Sequence, residues 1–262
     1  MCEPLSGRFS VLCRPEEGGE GIQRAIRDCP AGGSIFLRAG VYHVTQTLRL
    51  DRSVHIFGRG QAELRGQLPP PRRRSGSGSG SGGGGPSLGL IEATAPGPSG
   101  GATLDRVLIE DRSVSYSRTL HVPSGALRLQ GCHVASWAEK NGFELFRAAS
   151  GAAAADLHGC TFSGRGGGGV LEFAAGAAGH VVDCEVRGFG KGYGVNLSGE
   201  GTAPVLARNT IRECKWGVTV EPDVGPGWSL GEGHAFAGNS ERDVWDMREP
   251  PPAEAPAGRA NT

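Results

Sequence analysis

Two glutamates, Glu144 and Glu172, are the side chains of this sequence best placed to carry out chemistry together. Each lies within a short apolar segment with strand character, Phe143-Glu-Leu-Phe146 and Val170-Leu-Glu-Phe173. If these segments fall on neighbouring coils of a repeating fold, the two carboxylates are close enough to share a proton or to bind Ca²⁺. The alternative is that both glutamates are solvated side chains on a polar surface.

The segments around these glutamates belong to a set of short strands in which apolar residues flank a central position. Side chains in a strand alternate between its two faces, so residues i and i+2 point the same way. Leu120 and Val122 therefore point inward in their strand, and Phe143 and Leu145 point inward around Glu144. The central residues point outward and form a candidate binding face: His121, Glu144, Glu172, Asn196 and Thr219.

A second pattern recurs between these strands. It reads apolar, two variable residues, a small or amide residue, one variable residue, apolar. Six windows follow it, spaced 24 to 30 residues apart, and they begin at Leu104, Leu129, Leu157, Val181, Leu206 and Phe236. From the second window on, the small or amide position holds Cys132, Cys160, Cys184, Asn209 and Asn239. Stacked windows would align these five as a structural ladder, where cysteine fills a small volume and asparagine bonds the backbone of a bend.

A repeat period in the twenties is typical of a solenoid. One coil cannot bury its own apolar face, but coils stacked about 4.8 Å apart pair their backbones and join those faces into a continuous core. Helical periodicity fits none of the windows. The sequence therefore predicts an all-β, single-stranded parallel β-helix of about seven coils.

One helix is predicted ahead of the coils. In the segment Gly21–Cys29, apolar side chains recur at i, i+3, i+4 and i+7, namely Ile22, Ala25, Ile26 and Cys29. This spacing gives one apolar helix face. A helix laid over the open end of a solenoid covers exposed core and strand edges, so we expect an N-terminal cap.

The composition divides the chain around the predicted solenoid. Residues 1–19 form an N-terminal lead-in segment, and residues 20–246 form the solenoid. Residues 247–262 form a Pro/Ala-rich tail that we expect to be disordered. The Gly/Ser-rich run 69–87 cannot bury enough apolar surface to order itself, so it is predicted to be a flexible loop inside the solenoid. The chain has 46 glycines and 17 prolines in 262 residues and is only 37% hydrophobic, which disfavours a large helical core.

Charge and targeting features exclude several classes of protein. The chain has 27 basic and 27 acidic residues and no net charge, which argues against nucleic-acid and anionic-membrane partners. It has neither an apolar run long enough for a membrane span nor an apolar leader near its start. The odd number of cysteines, 7, fits reduced thiols. We therefore expect a cytoplasmic or nuclear monomer.

The sequence gives no pattern for a metal or a cofactor, and we expect neither. It has no Cys-x-x-Cys, and a column of cysteines is spaced by the coil rise rather than as a tetrahedral cage. The glycine-rich runs 164–169 and 188–194 lead into strands, whereas a phosphate loop opens a helix. Trp137 and Trp216, just after bends, are sugar-stacking platforms, a protein hot spot or edge packing.

The N-terminal part resembles a known family. The order from the helix through "AGVYHV" and "FGRG" is similar to the opening of right-handed parallel β-helix, pectin-lyase-like proteins. The residues that carry the match are Ile22, Gln23, Ala25, Ile26, Gly40, Tyr42, Gly58 and Gly60. The later Gly-Cys-x-Val and Arg-Asn-x-Ile windows look like that family's bends. The resemblance covers roughly residues 20–246 apart from the loop, and it implies a right-handed β-helix.

The resemblance leaves the function open between two classes. Enzymes of this family act on acidic polysaccharides along one strand face, and here Glu144 and Glu172 would be the catalytic pair. The sequence lacks the Gln-Asp-Thr, Asp-Asp and Gly-His-Gly clusters that mark such enzymes. The intracellular β-helix modules of F-box and Shc-SH2-binding-type proteins look most similar. We therefore expect a non-catalytic module that binds a protein or glycan, with a divergent lyase, esterase or hydrolase as the alternative.

Overall fold

The computed structural model describes residues 4–5, 10–68, 89–96, 101–113, 118–137, 144–165, 168–190 and 192–249. The predicted loop 69–87, most of the predicted tail and Phe143 lie outside these ranges. The described chain is all-β apart from one α-helix and one short 3₁₀ turn.

Three parallel β-sheets wind around one apolar interior, so the predicted solenoid is confirmed. Each turn contributes one strand to each sheet and pairs with the turns before and after it. Sheets 2 and 3 contain eight strands each, which gives about eight turns where about seven were predicted.

The helical elements come first in the chain, the 3₁₀ turn Pro15–Glu17 and helix α1, Gly18–Asp28. Sheet 1 contains β1 Pro4–Leu5, β2 Ser10–Cys13, β3 Gly33–Leu37, β6 Val54–Phe57, β9 Ala102–Asp105, β12 Gly125–Gln130, β15 Ala153–His158, β18 Ala178–Val182, β21 Ala203–Ala207 and β24 Ser229–Leu230. Sheet 2 contains β4 Gly40–Val44, β7 Ala62–Gly66, β10 Leu108–Asp111, β13 His133–Ser136, β16 Thr161–Gly164, β19 Glu185–Arg187, β22 Thr210–Arg212 and β25 Ala235–Ala237. Sheet 3 contains β5 Leu48–Leu50, β8 Ile91–Ala93, β11 Leu120–Val122, β14 Glu144–Ala148, β17 Gly169–Ala174, β20 Tyr193–Ser198, β23 Trp216–Val220 and β26 Arg242–Asp246. Only β1 is antiparallel to its neighbour among these strands.

Apolar side chains stack in register along the interior of each sheet. The sheet 1 ladder is Ile35, Ile56, Leu104, Leu129, Leu157, Val181, Leu206 and Leu230. The sheet 2 ladder is Tyr42, Leu64, Ile109, Val134, Phe162, Val186, Ile211 and Phe236. The sheet 3 ladder is Leu48, Ile91, Leu120, Phe146, Leu171, Val195, Val218 and Val244. All members are buried except the last of each ladder, which is partly exposed.

Helix α1 packs against the N-terminal turns with the apolar face that the spacing predicted. Ile22, Ala25, Ile26 and the following Cys29 are at most 1% exposed. The Gln23 side chain fixes the helix to β5, because its Nε2 donates to the Arg49 carbonyl (3.2 Å) and its Oε1 accepts from the Arg49 N–H (2.8 Å). No helix within the described ranges is long and apolar enough to cross a membrane.

A left-handed residue ends each strand of sheet 1 from β9 to β21. These residues have φ between 50° and 57°, and they are Arg106, Gly131, Gly159, Asp183 and Arg208. The turn into sheet 2 needs this conformation once per coil, which favours glycine there. The next residue along is the small or amide position of each predicted window.

Candidate functional site

A polar column runs along the outward face of sheet 3. Backbone pairing aligns the central residues of successive strands as Arg49, Glu92, His121, Arg147, Glu172, Asn196, Thr219 and Trp245. Four of the five predicted residues of the binding face lie in this column, His121, Glu172, Asn196 and Thr219. The fifth, Glu144, does not, and Arg147 occupies the place expected for it.

The expected position of Glu144 is wrong because β14 pairs three residues further along than predicted. Phe146 aligns with Leu120 on the interior ladder, where the sequence analysis had placed Phe143 and Leu145 on either side of Glu144. Leu145 is nevertheless buried, at 2% exposure. The Phe146 ring sets the register of β14, because a one-residue shift of the strand would move this ring from the interior to the surface.

The Glu144 carboxylate still reaches the outward face and contacts side chains from other turns. Its Oε2 accepts a hydrogen bond from Arg118 Nε (3.2 Å), and its Oε1 accepts one from the Tyr193 hydroxyl (2.9 Å). Tyr193 lies two turns away and crosses Gly169 to reach Glu144. A Cβ at Gly169 would lie 2.4 Å from the Tyr193 ring, so only glycine leaves room for this contact.

Glu172 holds its proton far more strongly than an ordinary glutamate. Its Oε2 lies 3.0 Å from Arg147 Nε, and its side chain is only 10% exposed. Burial, and then the charge of Glu144, raise the pKa of Glu172 to about 7. A hydrogen bond with Glu144 adds to this effect. The structure thus brings the two carboxylates together from different columns.

Two further groups of the cluster, His121 and Tyr193, stay neutral near pH 7. Burial, together with the charges of Arg118 and Arg147, lowers the pKa of His121 to about 4. Burial and the nearby Glu144 raise the pKa of Tyr193 well above its usual range, so the phenol keeps its proton and remains a donor.

Hydrogen bonds between turns orient the rest of the polar column. Thr219 Oγ1 donates to Asn196 Oδ1 (2.5 Å), and Asn196 Nδ2 donates to Glu221 Oε1 (3.1 Å). Ser198 Oγ donates to Glu172 Oε1 at 3.5 Å. Asn196 and Thr219 are 4% and 2% exposed. This end of the face is therefore more enclosed than the sequence analysis expected, and its side chains are held in fixed orientations.

A second column lies beside the polar one, and we call it the aromatic column because it carries Tyr193 and Trp216. It runs Glu144, Gly169, Tyr193, Trp216 and Arg242. The ring of Trp216 is 5.4 Å from that of Trp245, and Lys215 Nζ is 4.2 Å from the Trp216 centroid. The sequence analysis missed Tyr193. An aromatic residue three places before the outward polar residue in two successive strands was the signal that could have found it.

Trp137 belongs to a different part of the coil. It follows β13 at the end of sheet 2 and is 45% exposed. The Arg165 guanidinium lies 4.5 Å from its ring centroid and 5.0 Å from that of Phe189. Trp137 is therefore not part of the sheet 3 face.

The arrangement on sheet 3 combines three chemical capacities. Arg147, whose side chain is 30% exposed, carries a guanidinium group that can bind oxyanions or hydroxyls, whereas Arg118 is buried against Glu144. Glu172, with its pKa raised to about 7 and Glu144 beside it, can give or take a proton near neutral pH. The aromatic column offers flat rings for stacking.

The predicted structural ladder is present at the bend between sheets 1 and 2, and its residues make equivalent bonds. Cys132 N–H donates to Cys160 Sγ (3.4 Å), and Cys132 Sγ donates to the Leu104 carbonyl (3.3 Å). Cys184 N–H donates to Asn209 Oδ1 (2.9 Å), and Asn209 Nδ2 donates to the Val181 carbonyl (2.7 Å). The cysteine thiol and the asparagine amide thus form equivalent hydrogen bonds, and each links its own turn to the turn before it.

Asn239 does not continue this ladder, and His234 does. Asn209 N–H donates to His234 Nδ1 (3.3 Å), whereas Asn239 Oδ1 accepts from Cys214 N–H (3.0 Å) at the next bend of the coil. The assignment was wrong because the last bend is one residue longer. Phe236 aligns with Ile211 rather than Leu206, so the sixth window belongs to the following bend.

No metal centre is evident in the part of the chain that the structure describes. No group of three or more His, Cys, Asp or Glu side chains there is arranged to hold a metal ion. All six described cysteines are buried, and none of them forms a disulfide with another described residue: Cys13, Cys29, Cys132, Cys160, Cys184 and Cys214.

Comparison with known proteins adds little beyond the fold. No protein-family model and no curated protein matches the chain. Among solved structures it is similar to ORF18 of Geobacillus virus E2, at 11% identity and a TM-score of 0.38, over 91% of this chain and 62% of that one. It is similar to PfbA, a surface adhesin of Streptococcus pneumoniae, at 9% identity and a TM-score of 0.28, over 91% of this chain and 92% of that one. It is also similar to the A-module of the Azotobacter vinelandii mannuronan C-5 epimerase AlgE4, at 12% identity and a TM-score of 0.29, over 88% of this chain and 94% of that one.

The chain thus spans about 62% of the length of the viral protein it matches. Likenesses at these identities and TM-scores say nothing about function, and the fold rests on the strand pairing described above.

Proposed function

We propose that this protein recognises an extended glycan along the outward face of sheet 3, without transforming it. The observation that carries the proposal is the in-register pairing of a polar column with an aromatic column. Tyr193 and Trp216 lie beside Asn196 and Thr219 on the same two turns. Sugars are bound in this way, with rings stacked on aromatic faces and hydroxyls bonded to fixed polar groups.

The repeat of the fold favours an extended ligand over a compact one. Equivalent positions recur about every 4.8 Å along the solenoid axis, so a polymer can make similar contacts on successive turns. The partly exposed guanidinium group of Arg147 adds a preference for glycans that carry acidic groups. A protein partner, which the resemblance to adaptor modules implies, would instead be expected to seek exposed anchor residues.

Substitution of Trp216 tests the glycan proposal. Trp216→Ala should weaken binding to an acidic polysaccharide by about tenfold, since an aromatic stack contributes on the order of 1 kcal/mol. Trp137→Ala is the matched control, because Trp137 lies on another sheet. Binding is measured by affinity electrophoresis in gels that contain alginate, pectin or a neutral glucan, after circular dichroism shows that each variant is folded.

Two results would contradict the proposal. Equal mobility of the unsubstituted protein in all gels, together with an empty glycan array, would remove glycan recognition. Capture of a defined protein whose binding is lost in Trp137→Ala but kept in Trp216→Ala would favour the protein-binding alternative.

A second candidate function is acid–base chemistry on an acidic glycan, and the state of Glu172 favours it. A carboxyl group with a pKa raised to about 7 can donate a proton at neutral pH, and Glu144 beside it can accept one. Perturbed groups of this kind cluster at active sites, but buried ion-pair networks produce them as well.

Turnover of polyuronates separates the two candidates. Formation of unsaturated or newly reducing ends, or inversion of a sugar carbon seen by NMR, is followed for the unsubstituted protein and for Glu172→Gln. If the face only binds, neither protein shows turnover. Turnover that collapses in Glu172→Gln but survives in Trp137→Ala would establish the catalytic alternative.

A further inference from the structure

A hollow opens at the N-terminal end of the solenoid, between helix α1 and the corner that joins β4 to β5. It consists of two adjoining lobes of about 230 and 540 Å³. The larger lobe is within the size range of small-molecule sites, roughly 300–1,000 Å³. Gln23, Arg27, Thr45, Gln46 and Thr47 line both lobes.

The arginines around this hollow lack the carboxylate contacts that many other arginines of the described surface make. Arg24 lines the smaller lobe, Arg49 the larger one and Arg27 both. None of these three guanidinium groups forms an ion pair or hydrogen bond with another described residue. By contrast, several arginines along the turns lie against carboxylates, as Arg208 does on Asp183 (2.7 Å) and Arg212 on Glu185 (2.5 Å).

The walls of the hollow are held in place by the backbone around them. The two hydrogen bonds between the Gln23 side chain and the Arg49 backbone join α1 to β5. At the end of the helix, Arg52 Nη1 donates to the Arg27 carbonyl (2.8 Å). The buried helix face, which includes Ile22 and Ile26, packs on the interior. A site whose walls are already ordered loses little entropy when a ligand binds.

The acidic residues of the hollow do not cancel its positive charge. Glu20 lines the smaller lobe and Asp51 the larger one, so the lining holds three guanidinium groups and two carboxylates. Outside the lining, a hydrogen bond from the Arg14 N–H lowers the pKa of Glu17, and the charge of Arg24 also helps to lower it. Asp51 is partly engaged by Arg52, at 3.7 Å. The remaining positive charge favours an anion, and guanidinium groups bind carboxylate and phosphate oxygens in two-point contacts. The threonine hydroxyls and the Gln46 amide suit the hydroxyl groups of the same molecule.

We propose that this hollow binds a small hydroxylated oxyanion, either a sugar acid or a sugar phosphate. Both share one acidic group for the arginines and several hydroxyls for the threonines and Gln46. The site is separate from the Glu144–Glu172 cluster, since Arg49 and Glu172 are four turns apart in the same column, about 19 Å at 4.8 Å per turn. The proposal does not depend on glycan recognition by sheet 3.

Calorimetric titration with three ligands tests the site and distinguishes the source of the oxyanion. Glucuronate carries a carboxylate, glucose 6-phosphate carries a phosphate, and glucose is neutral. One or both acids should bind and glucose should not. Arg27→Gln should weaken binding about tenfold, and the double variant with Arg24→Gln should weaken it further. Arg38→Gln, an exposed arginine outside the hollow, is the matched control and should bind as the unsubstituted protein does.

Three outcomes would overturn the proposal. They are equal binding of glucose and the acids, full binding by the Arg24 and Arg27 double variant, and no binding of either acid at millimolar concentration. Chemical shift changes in labelled protein give a second readout, because they should centre on Gln46 and Thr47. Trp216→Ala should leave this binding intact, so failure of the sheet 3 proposal and failure of this one are distinguishable.

Discussion

At the scale of single residues, the bend between sheets 1 and 2 shows how different side chains meet one requirement. Each turn leaves a backbone N–H and a carbonyl that the next turn must satisfy. Cysteine, asparagine and His234 all do so, because each side chain has one donor and one acceptor within reach. Composition at this position therefore varies while the bonding does not.

Asn209→Ala should destabilise the protein by about 2 kcal/mol. The substitution leaves the Cys184 N–H and the Val181 carbonyl buried without a partner, and each such group costs roughly 1–3 kcal/mol. Asn239→Ala removes the same two kinds of bond where they are partly exposed, so its cost should be smaller. Urea unfolding of both variants measures the difference, and equal losses would contradict the argument.

Glu172 and His121 should give stability opposite dependences on pH. The folded pKa of Glu172, about 7, lies above its ordinary 4.5, so the folded state binds more protons between these values. Its contribution is complete below pH 4.5 and is lost as the pH rises to 7. The folded pKa of His121, about 4, lies below its ordinary 6.5, so its contribution is complete above pH 6.5 and is lost as the pH falls to 4.

Free energies of unfolding measured between pH 4 and 7 check this expectation. The difference between the unsubstituted protein and Glu172→Gln should fall as pH rises, by about 3 kcal/mol for a shift of this size. The corresponding difference for His121→Asn should rise with pH. A flat difference curve for Glu172→Gln would show that its carboxyl titrates normally.

At the scale of elements, the left-handed residue that ends each strand of sheet 1 sets the direction of the chain into sheet 2. Gly159→Ala should cost about 1 kcal/mol, because its φ is +57° while no atom lies within 4 Å of the added Cβ. The effect is therefore one of backbone conformation alone. Gly225→Ala is the control, because Gly225 also has open space around the added Cβ but does not have a positive φ. In the same unfolding experiment, this variant should be as stable as the unsubstituted protein or slightly more stable.

Most elements could be predicted from the sequence because their residues repeat. The first five windows place their two apolar residues on the ladders of sheets 1 and 2, and the helix buries the face that its spacing indicated. Local pattern failed where a coil departed from the repeat. The extra residue before Phe236 displaced Asn239, and the two adjacent inward candidates Leu145 and Phe146 hid the register of Glu144.

The candidate site could be predicted only in part, for a related reason. Alternation along a strand gives the direction of His121 or Glu172, but it does not tell how long side chains from other turns fold over them. The Tyr193 hydroxyl reaches Glu144 across two turns, and this depends on the absence of a side chain at Gly169. A contact of this kind is a property of stacked turns rather than of any one segment.

At the scale of the whole molecule, the interior is one continuous stack in which each turn contacts only its neighbours. Such folds lose structure from their ends, because an end turn has one neighbour. The ladders become partly exposed at Leu230, Phe236 and Val244, which marks the C-terminal end as the weaker one within the described chain. The N-terminal end is covered by α1.

The reactivity of the buried thiols can show whether the C-terminal end of the solenoid unfolds first. Under mild denaturant, iodoacetamide should modify Cys214 before Cys132, Cys160 and Cys184, since Cys214 lies nearest the C-terminal end and all four are buried in the native state. Mass spectrometry of timed samples measures each site. Simultaneous modification of all four would show instead that the solenoid unfolds as a single cooperative unit.

The corner between β7 and β8 shows how this architecture tolerates change in chain length. Between the end of β7 at Gly66 and the start of β8 at Ile91, the sequence has residues 67–90 in place of a short connection, yet β8 is in register with β5 before it and with β11 after it. Each strand takes its alignment from its neighbours, so extra residues at a corner do not propagate along the axis. Such corners are natural places for new loops to evolve over the surface, and for an affinity tag or a reporter domain to be inserted without disturbing the interior.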